Sequence, residues 1–216
     1  MNPSFAYGHP AMRGWWIGPL AVTFAALLHA PTRAADAAED EHAHHHHHAM
    51  TQQVTRSVSS YTVPAIALVR EDGTKVVLSE ELNDDRPVVL DFIYTTCTSI
   101  CPLSSQTFAQ LQSMLGSARD RVRLVSITID PEQDTPARLA EYARKYGAGP
   151  EWHHYTGTVQ ASLAAQRAFG VYKGDKMSHT PVTLVRTAPG AQWVRFDGFA
   201  TAADLMQELR AKIASN

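Results

Sequence analysis

The chain has 216 residues, a formal charge of −2 and a pI near 6.6. Its 19 Lys and Arg are balanced by 21 Asp and Glu with no basic face, which excludes a nucleic-acid-binding protein. Apolar residues make up 44% of the sequence, enough for one domain with a full core behind a non-globular N-terminal part.

Arg13 precedes an apolar run from Trp15 to Leu28, and Thr32-Arg33-Ala34 places small residues at both cleavage-site positions. Residues 1–34 therefore read as a secretory signal peptide, with cleavage after Ala34. The run is short for a membrane span and is interrupted by Gly18 and Pro19. The alternative is an uncleaved anchor that keeps the domain near a membrane. Asn2 to Ala11 carry no basic residue, whereas a start at Met12 puts Arg13 beside the apolar run. Export predicts a periplasmic protein, soluble or anchored at the outer face of the inner membrane, where cysteines can pair.

Residues 35–53 contain Asp36, Glu39, Asp40 and Glu41, followed by His42 and His44 to His48. No core can form from them, so they read as a disordered linker. The histidine tract offers loose binding of Cu, Zn or Ni. Residues 54–216 are left as the folded domain.

Within it, Tyr61 to Val69 reads as a strand, Asp72-Gly73 as a turn, and Lys75 to Leu78 as the returning arm of a hairpin. Val88 to Tyr94 is a run of β-branched and aromatic residues, a buried central strand. Pro102 to Leu115 has helical apolar spacing, and Gly116 fits its stop. Arg121 to Ile129 is a second parallel-type strand. Asp134 or Thr135 caps a helix from Pro136 to Tyr146. Trp152 to Tyr155 reads as a short strand whose adjacent His153 and His154 face opposite ways and do not chelate together. Thr158 to Phe169 is a helix, Val182 to Arg186 and Gln192 to Asp197 a hairpin, and Thr201 to Ile213 the last helix.

Cys97 and Cys101, the two cysteines of the chain, fall at the first strand-to-helix turn. Residues four apart in a helical turn share a face, so two thiols there can close on one soft ion or on each other. A helix N-terminus favours thiolate, and thiolates select Cu(I), Zn or disulfide chemistry. A structural disulfide or two inert buried thiols is the plainer alternative. The order of elements predicts an α/β thioredoxin-like fold, a mixed central sheet flanked by helices with an N-terminal β-hairpin extension. Thr180-Pro181 resembles the position where thioredoxins carry a cis-proline facing their cysteines, although a trans edge proline also fits. His179 lies two residues before that proline. With this loop facing the cysteine turn, two thiolates and one imidazole suit three-coordinate Cu(I) or a more weakly held Cu(II).

The stretches F-I-Y-T-T-C-T-S-I-C-P, I-D-P-E-Q-D-T-P and Y-T-G-T, with a later histidine before a strand, resemble the Sco/SenC family of copper chaperones. The resemblance runs from about Tyr61 to Leu209. It implies one copper held by Cys97, Cys101 and His179. It also implies delivery to the binuclear copper centre in the copper-bearing subunit of cytochrome c oxidase, with an upstream copper donor. The family often has an aspartate where this chain has Ser178, and is commonly anchored where this leader looks cleavable. The alternative function is a thiol-disulfide oxidoreductase that cycles Cys97 and Cys101 through a disulfide, reducing the oxidase subunit or acting in redox defence. A peroxidase would lack a further cysteine to resolve it.

Overall fold

The computed structural model of the chain describes residues 54–214. The leader, the start at Met12, the linker with its histidine tract, and residues 215–216 lie outside the described residues. The strands are β1 (Thr55–Ser59), β2 (Ala67–Arg70), β3 (Lys75–Val77), β4 (Val88–Ile93), β5 (Arg123–Thr128), β6 (Trp152–Gly157), β7 (Val182–Arg186) and β8 (Trp193–Asp197). The helices are α1 (Leu78–Glu81), α2 (Ile100–Leu115), α3 (Pro136–Lys145), α4 (Val159–Ala168) and α5 (Ala202–Ala214).

The strands form one mixed sheet in the order β1-β8-β7-β4-β5-β6-β2-β3. β4, β5 and β6 run parallel, while β7 and β2 pair antiparallel to β4 and β6. β4 and β5 are buried at all six positions, as their unbroken apolar runs require of strands covered on both faces. Val88, Leu90 and Phe92 face a cluster that includes Phe169 and Ala165 of the α4 side. Val89 faces the α2 and α5 side with Phe108, Leu111, Leu205 and Leu209. α2 stops at Gly116, whose φ of 54° a side chain would resist. Thr135 caps α3 by accepting the Arg138 N–H at 3.3 Å, and Pro136 opens the helix.

The thioredoxin-like sheet and its hairpin extension match the sequence reading, with four local corrections. The strand predicted from Tyr61 begins only at Ala67, because Pro64 has no N–H for a ladder and the Ile66 N–H turns back to the Pro64 carbonyl at 2.9 Å. Tyr61, Val63 and Ile66 pack on the core instead. β1 is added as a polar edge strand, held by backbone pairing to β8 with little apolar signal of its own. The strand at Trp152 extends to Gly157 as a full parallel member of the sheet. The peptide bond before Pro181 is trans, since no described residue follows a cis bond. Pro181 sits ahead of the β7 ladder, where its missing N–H asks for no partner and its carbonyl accepts Gly198 N–H at 3.0 Å.

Candidate functional site

The sheet order brings three loops to one end of β4. β5 lies parallel beside it with Ile93 opposite Thr128, and β7 lies antiparallel on the other side with Asp91 opposite Thr183. The chain leaving β4, the chain leaving β5 and the chain entering β7 therefore meet there. Such crevices beyond strand ends, where neighbouring connections diverge, are the usual sites of open α/β sheets.

Cys97 and Cys101 occupy the first of these loops. Ser99 stands at the N-cap of α2 but makes no side-chain capping bond. The Cys97 sulfur takes that place, accepting the Cys101 N–H at 3.4 Å. Both thiols are free and buried. Burial alone would raise the Cys97 thiol. The Cys101 N–H and thiol, the Ser99 N–H and the Tyr94 hydroxyl outweigh it and bring Cys97 down to about 7. Cys101 goes the other way: burial pushes it up, and the adjacent Cys97 and Asp91 charges add to the rise against one N–H from Tyr94.

His179 lies in the third loop and is also buried. Its Nε2 bonds the Phe92 carbonyl at 3.0 Å, which ties it to the last turn of β4. Burial lowers its pKa despite that bond, so the ring is neutral near pH 7. A carbonyl only accepts, so the ring proton sits on Nε2 and Nδ1 keeps its lone pair. Among the described residues, no group of three His, Cys, Asp or Glu side chains stands ready-made to hold a metal ion. The two cysteines are in contact; His179 lines a neighbouring small cavity with Lys173, Asp175 and Lys176.

A family model described as SCO1/SenC matches residues 54–214. The chain belongs to the SCO1/SenC family. A SCO1 protein homolog of Bacillus subtilis is 32% identical over 105 residues, which are 48% of this chain and 53% of that protein. Protein SenC of Rhodobacter capsulatus is 28% identical over 131 residues, 61% of this chain and 58% of the relative. The chain thus spans little more than half the length of these curated relatives. A crystal structure of Arabidopsis thaliana ScoI with copper bound gives a TM-score of 0.58 at 23% identity, covering 72% of this chain and 100% of that one. Yeast Sco1 with copper bound gives 0.61 at 19% identity, covering 73% and 96%. At such identities the likeness is one of fold.

Against this SCO1/SenC frame, the acidic loop has a larger part than the capping the sequence suggested. Thr135 is the cap, and Asp134 turns inward with no exposure. Its carboxylate accepts the Thr95 N–H at 3.0 Å, the Thr95 hydroxyl and the Thr128 hydroxyl, pinning the start of the cysteine turn to the end of β5. Asp130 accepts Lys176 Nζ at 2.6 Å and so holds the loop that leads to His179. The signal was present in D-P-E-Q-D-T-P, but capping chemistry was enough to account for it.

Sequence reasoning missed a buried polar row behind the thiols. Asp91, Ser126 and His154 are register partners on β4, β5 and β6, on the face covered by α2 and α3. Ser126 donates to Asp91 Oδ1 at 2.6 Å and accepts Trp152 Nε1–H at 3.0 Å. Asp91 Oδ2 and both ring nitrogens of His154 have no hydrogen-bond partner. Burial raises Asp91 to about 7, against the Ser126 bond, and lowers His154 to about 4. His153 points away, as alternation demands, and bonds Glu71 through Nδ1 at 2.9 Å.

Proposed function

We propose that this chain is an exported copper metallochaperone that holds one copper on Cys97, Cys101 and His179 and passes it to the copper-bearing subunit of cytochrome c oxidase. The observation that carries this is the thiol pair at the start of α2, in contact through the Cys101 N–H, with one member poised as thiolate near neutral pH. Two soft sulfurs suit Cu(I), and a neutral imidazole with a free Nδ1 is a fit third donor. Ligating histidines are ordinarily oriented by a hydrogen bond from the other ring nitrogen, as Phe92 provides for His179. Because no three-donor set is preformed among the described residues, loading at these three side chains requires the loop before β7 to close toward the thiols. Copper-bound members of the same fold, and the leader read in the sequence, support this assignment and its periplasmic setting. Among the described residues no helix is long and apolar enough to cross a membrane.

Anaerobic titration of the reduced protein against a chromophoric Cu(I) chelator tests the assignment. One equivalent should bind tightly, Cys97→Ser or Cys101→Ser should abolish that binding, and His179→Ala should weaken Cu(II) more than Cu(I). Undiminished binding in the double cysteine variant rejects it.

The split between the thiols favours a second function, reduction of a partner disulfide. The Cys97 thiolate would attack one sulfur of the partner and expel the other as thiolate. Cys101, losing its proton, would then attack Cys97 and release the second partner thiolate. Two electrons pass to the partner and the disulfide ends on Cys97–Cys101. Loss of His179 leaves this activity intact but impairs the chaperone.

A further inference from the structure

The end of the sheet remote from the thiols carries a charged cavity that neither function above uses. Arg86 leads into β4, Glu151 leads into β6, and Arg119 and Asp120 lie in the 3₁₀ turn Gly116–Arg121 ahead of β5. These entries to the three parallel strands are opposite the end where the cysteine turn leaves β4. With Pro150 they line a cavity of about 220 Å³. Glu151 is 3% exposed, yet neither of its carboxylate oxygens has a hydrogen-bond partner. A buried carboxylate without a donor is costly, so it marks a place that a donor should fill. The neighbouring donors are already committed. Glu151 Oε2 lies so close over Gly149 that a Cβ built there would stand 2.6 Å away, but the Gly149 N–H is given to Gln112 Oε1 at 2.7 Å. Arg86 is spent on the Asp84 carboxylate at 2.8 Å and the Asp120 carbonyl at 3.4 Å. Arg119 and Asp120 are exposed, and their side chains make no hydrogen bond or ion pair among the described residues.

The cavity thus offers one free guanidinium, one free carboxylate and one buried carboxylate in need of a donor. A ligand that is only a cation would meet Arg119, and one that is only an anion would meet Glu151 and Asp120. Among the described residues no third acidic, histidine or cysteine side chain joins these two carboxylates, which leaves a metal ion short of ligands. We propose that this cavity is a binding site for a small zwitterion of the α-amino-acid class, its ammonium donating to Glu151 and its carboxylate accepting from Arg119. An ammonium has three N–H donors, enough for both Glu151 oxygens and Asp120, and a guanidinium matches a carboxylate fork to fork. Neither Cys97, Cys101 nor His179 lines the cavity, so the site stands apart from the copper assignment.

The test titrates the reduced, ¹⁵N-labelled full chain with glycine, and with methylamine and acetate as its two half-ligands, following backbone amide shifts. Glycine should shift the amides of Arg119, Asp120 and Glu151 saturably and bind about tenfold more tightly than either half-ligand, the cost of losing one charge-assisted pair. Glu151→Gln, which keeps the side-chain shape, and Arg119→Ala, at an exposed position, should each weaken glycine by about the same factor. Cys97→Ser/Cys101→Ser should leave glycine binding unchanged. Methylamine or acetate binding as tightly as glycine, glycine binding that survives both Glu151→Gln and Arg119→Ala undiminished, or no saturable shift with any of the three probes overturns the proposal.

Discussion

Cys97 and Cys101 are the same residue type four positions apart, yet their surroundings set them in opposite directions. Alkylation by iodoacetamide should therefore fall on Cys97 first, with a rate that rises about tenfold per pH unit below 7 and levels off above it. Equal labelling of both thiols, or a profile centred near the free-cysteine value, would reject that asymmetry. Asp91 and His154 form a second opposed pair. Asp91 is raised to about 7, so between its unfolded value and 7 the native state keeps a proton that the unfolded chain has released. Its contribution is full at low pH and is lost as pH rises. His154 is lowered to about 4, so between 4 and its unfolded value the unfolded chain holds a proton that the native state lacks. Its contribution is full above that range and is lost as pH falls. The two slopes cancel in the wild type across roughly pH 4–6.5. Asp91→Asn should make the pH slope of unfolding free energy more positive, and His154→Gln more negative, each by up to about 1.4 kcal/mol per pH unit. Urea midpoints at pH 4.5, 5.5 and 6.5 measure this, and parallel slopes in all three proteins would rule it out.

The cysteine turn is an element held from outside itself. Its backbone has little regular pairing of its own beyond the Cys97 N–H to Tyr94 carbonyl bond at 3.1 Å. Asp134, from the loop after β5, supplies the fixing contacts through Thr95. Asp134→Ala takes the acceptor from the partly buried Thr95 N–H and hydroxyl and from the buried Thr128 hydroxyl, which keeps only its bond from the Asp130 N–H, and should cost about 3 kcal/mol. Asp134→Asn keeps an acceptor and should cost roughly half of that. The same Asp134→Ala change should raise the accessibility of Cys101 to alkylation, because the turn is no longer pinned. Chemical denaturation with mass mapping of the label checks both effects, and a stability change under about 0.5 kcal/mol would place the loop among ordinary surface turns.

At the scale of the whole molecule, copper binding and folding are linked. A ligand that binds only the native state at a free concentration of about 100 times its dissociation constant adds about 2.7 kcal/mol. For a domain of this size that is a rise in melting temperature of about 5–10 °C. Cu(I), delivered from a buffered chelator, should give this rise in the wild type and none in the Cys97→Ser/Cys101→Ser protein. Deleting His42 to His48 should leave the rise intact while lowering the number of weakly bound ions, since a flexible tract must be ordered on binding. Loss of the rise on deletion would move the main site into the tract.

The sequence alone determined the elements with strong local signals. The continuous apolar runs of β4 and β5, the Pro136 start of α3 and the Gly116 stop of α2 depend on propensity and steric rules that act within a few residues. It also put both cysteines at the head of α2, because a strand-turn-helix is legible locally. The partners of those cysteines were decided only in three dimensions. Asp134 reads as a helix cap until β5 is laid beside β4, when its carboxylate meets Thr95. Ser126 and His154 carry no motif, and only strand register sets them beside Asp91. The polar strand β1 was invisible because pairing with β8, rather than an apolar face, makes it a strand. Local rules write themselves into neighbouring residues, whereas a pKa, a hydrogen bond across 39 residues or an edge pairing arises from contacts that chain order does not record.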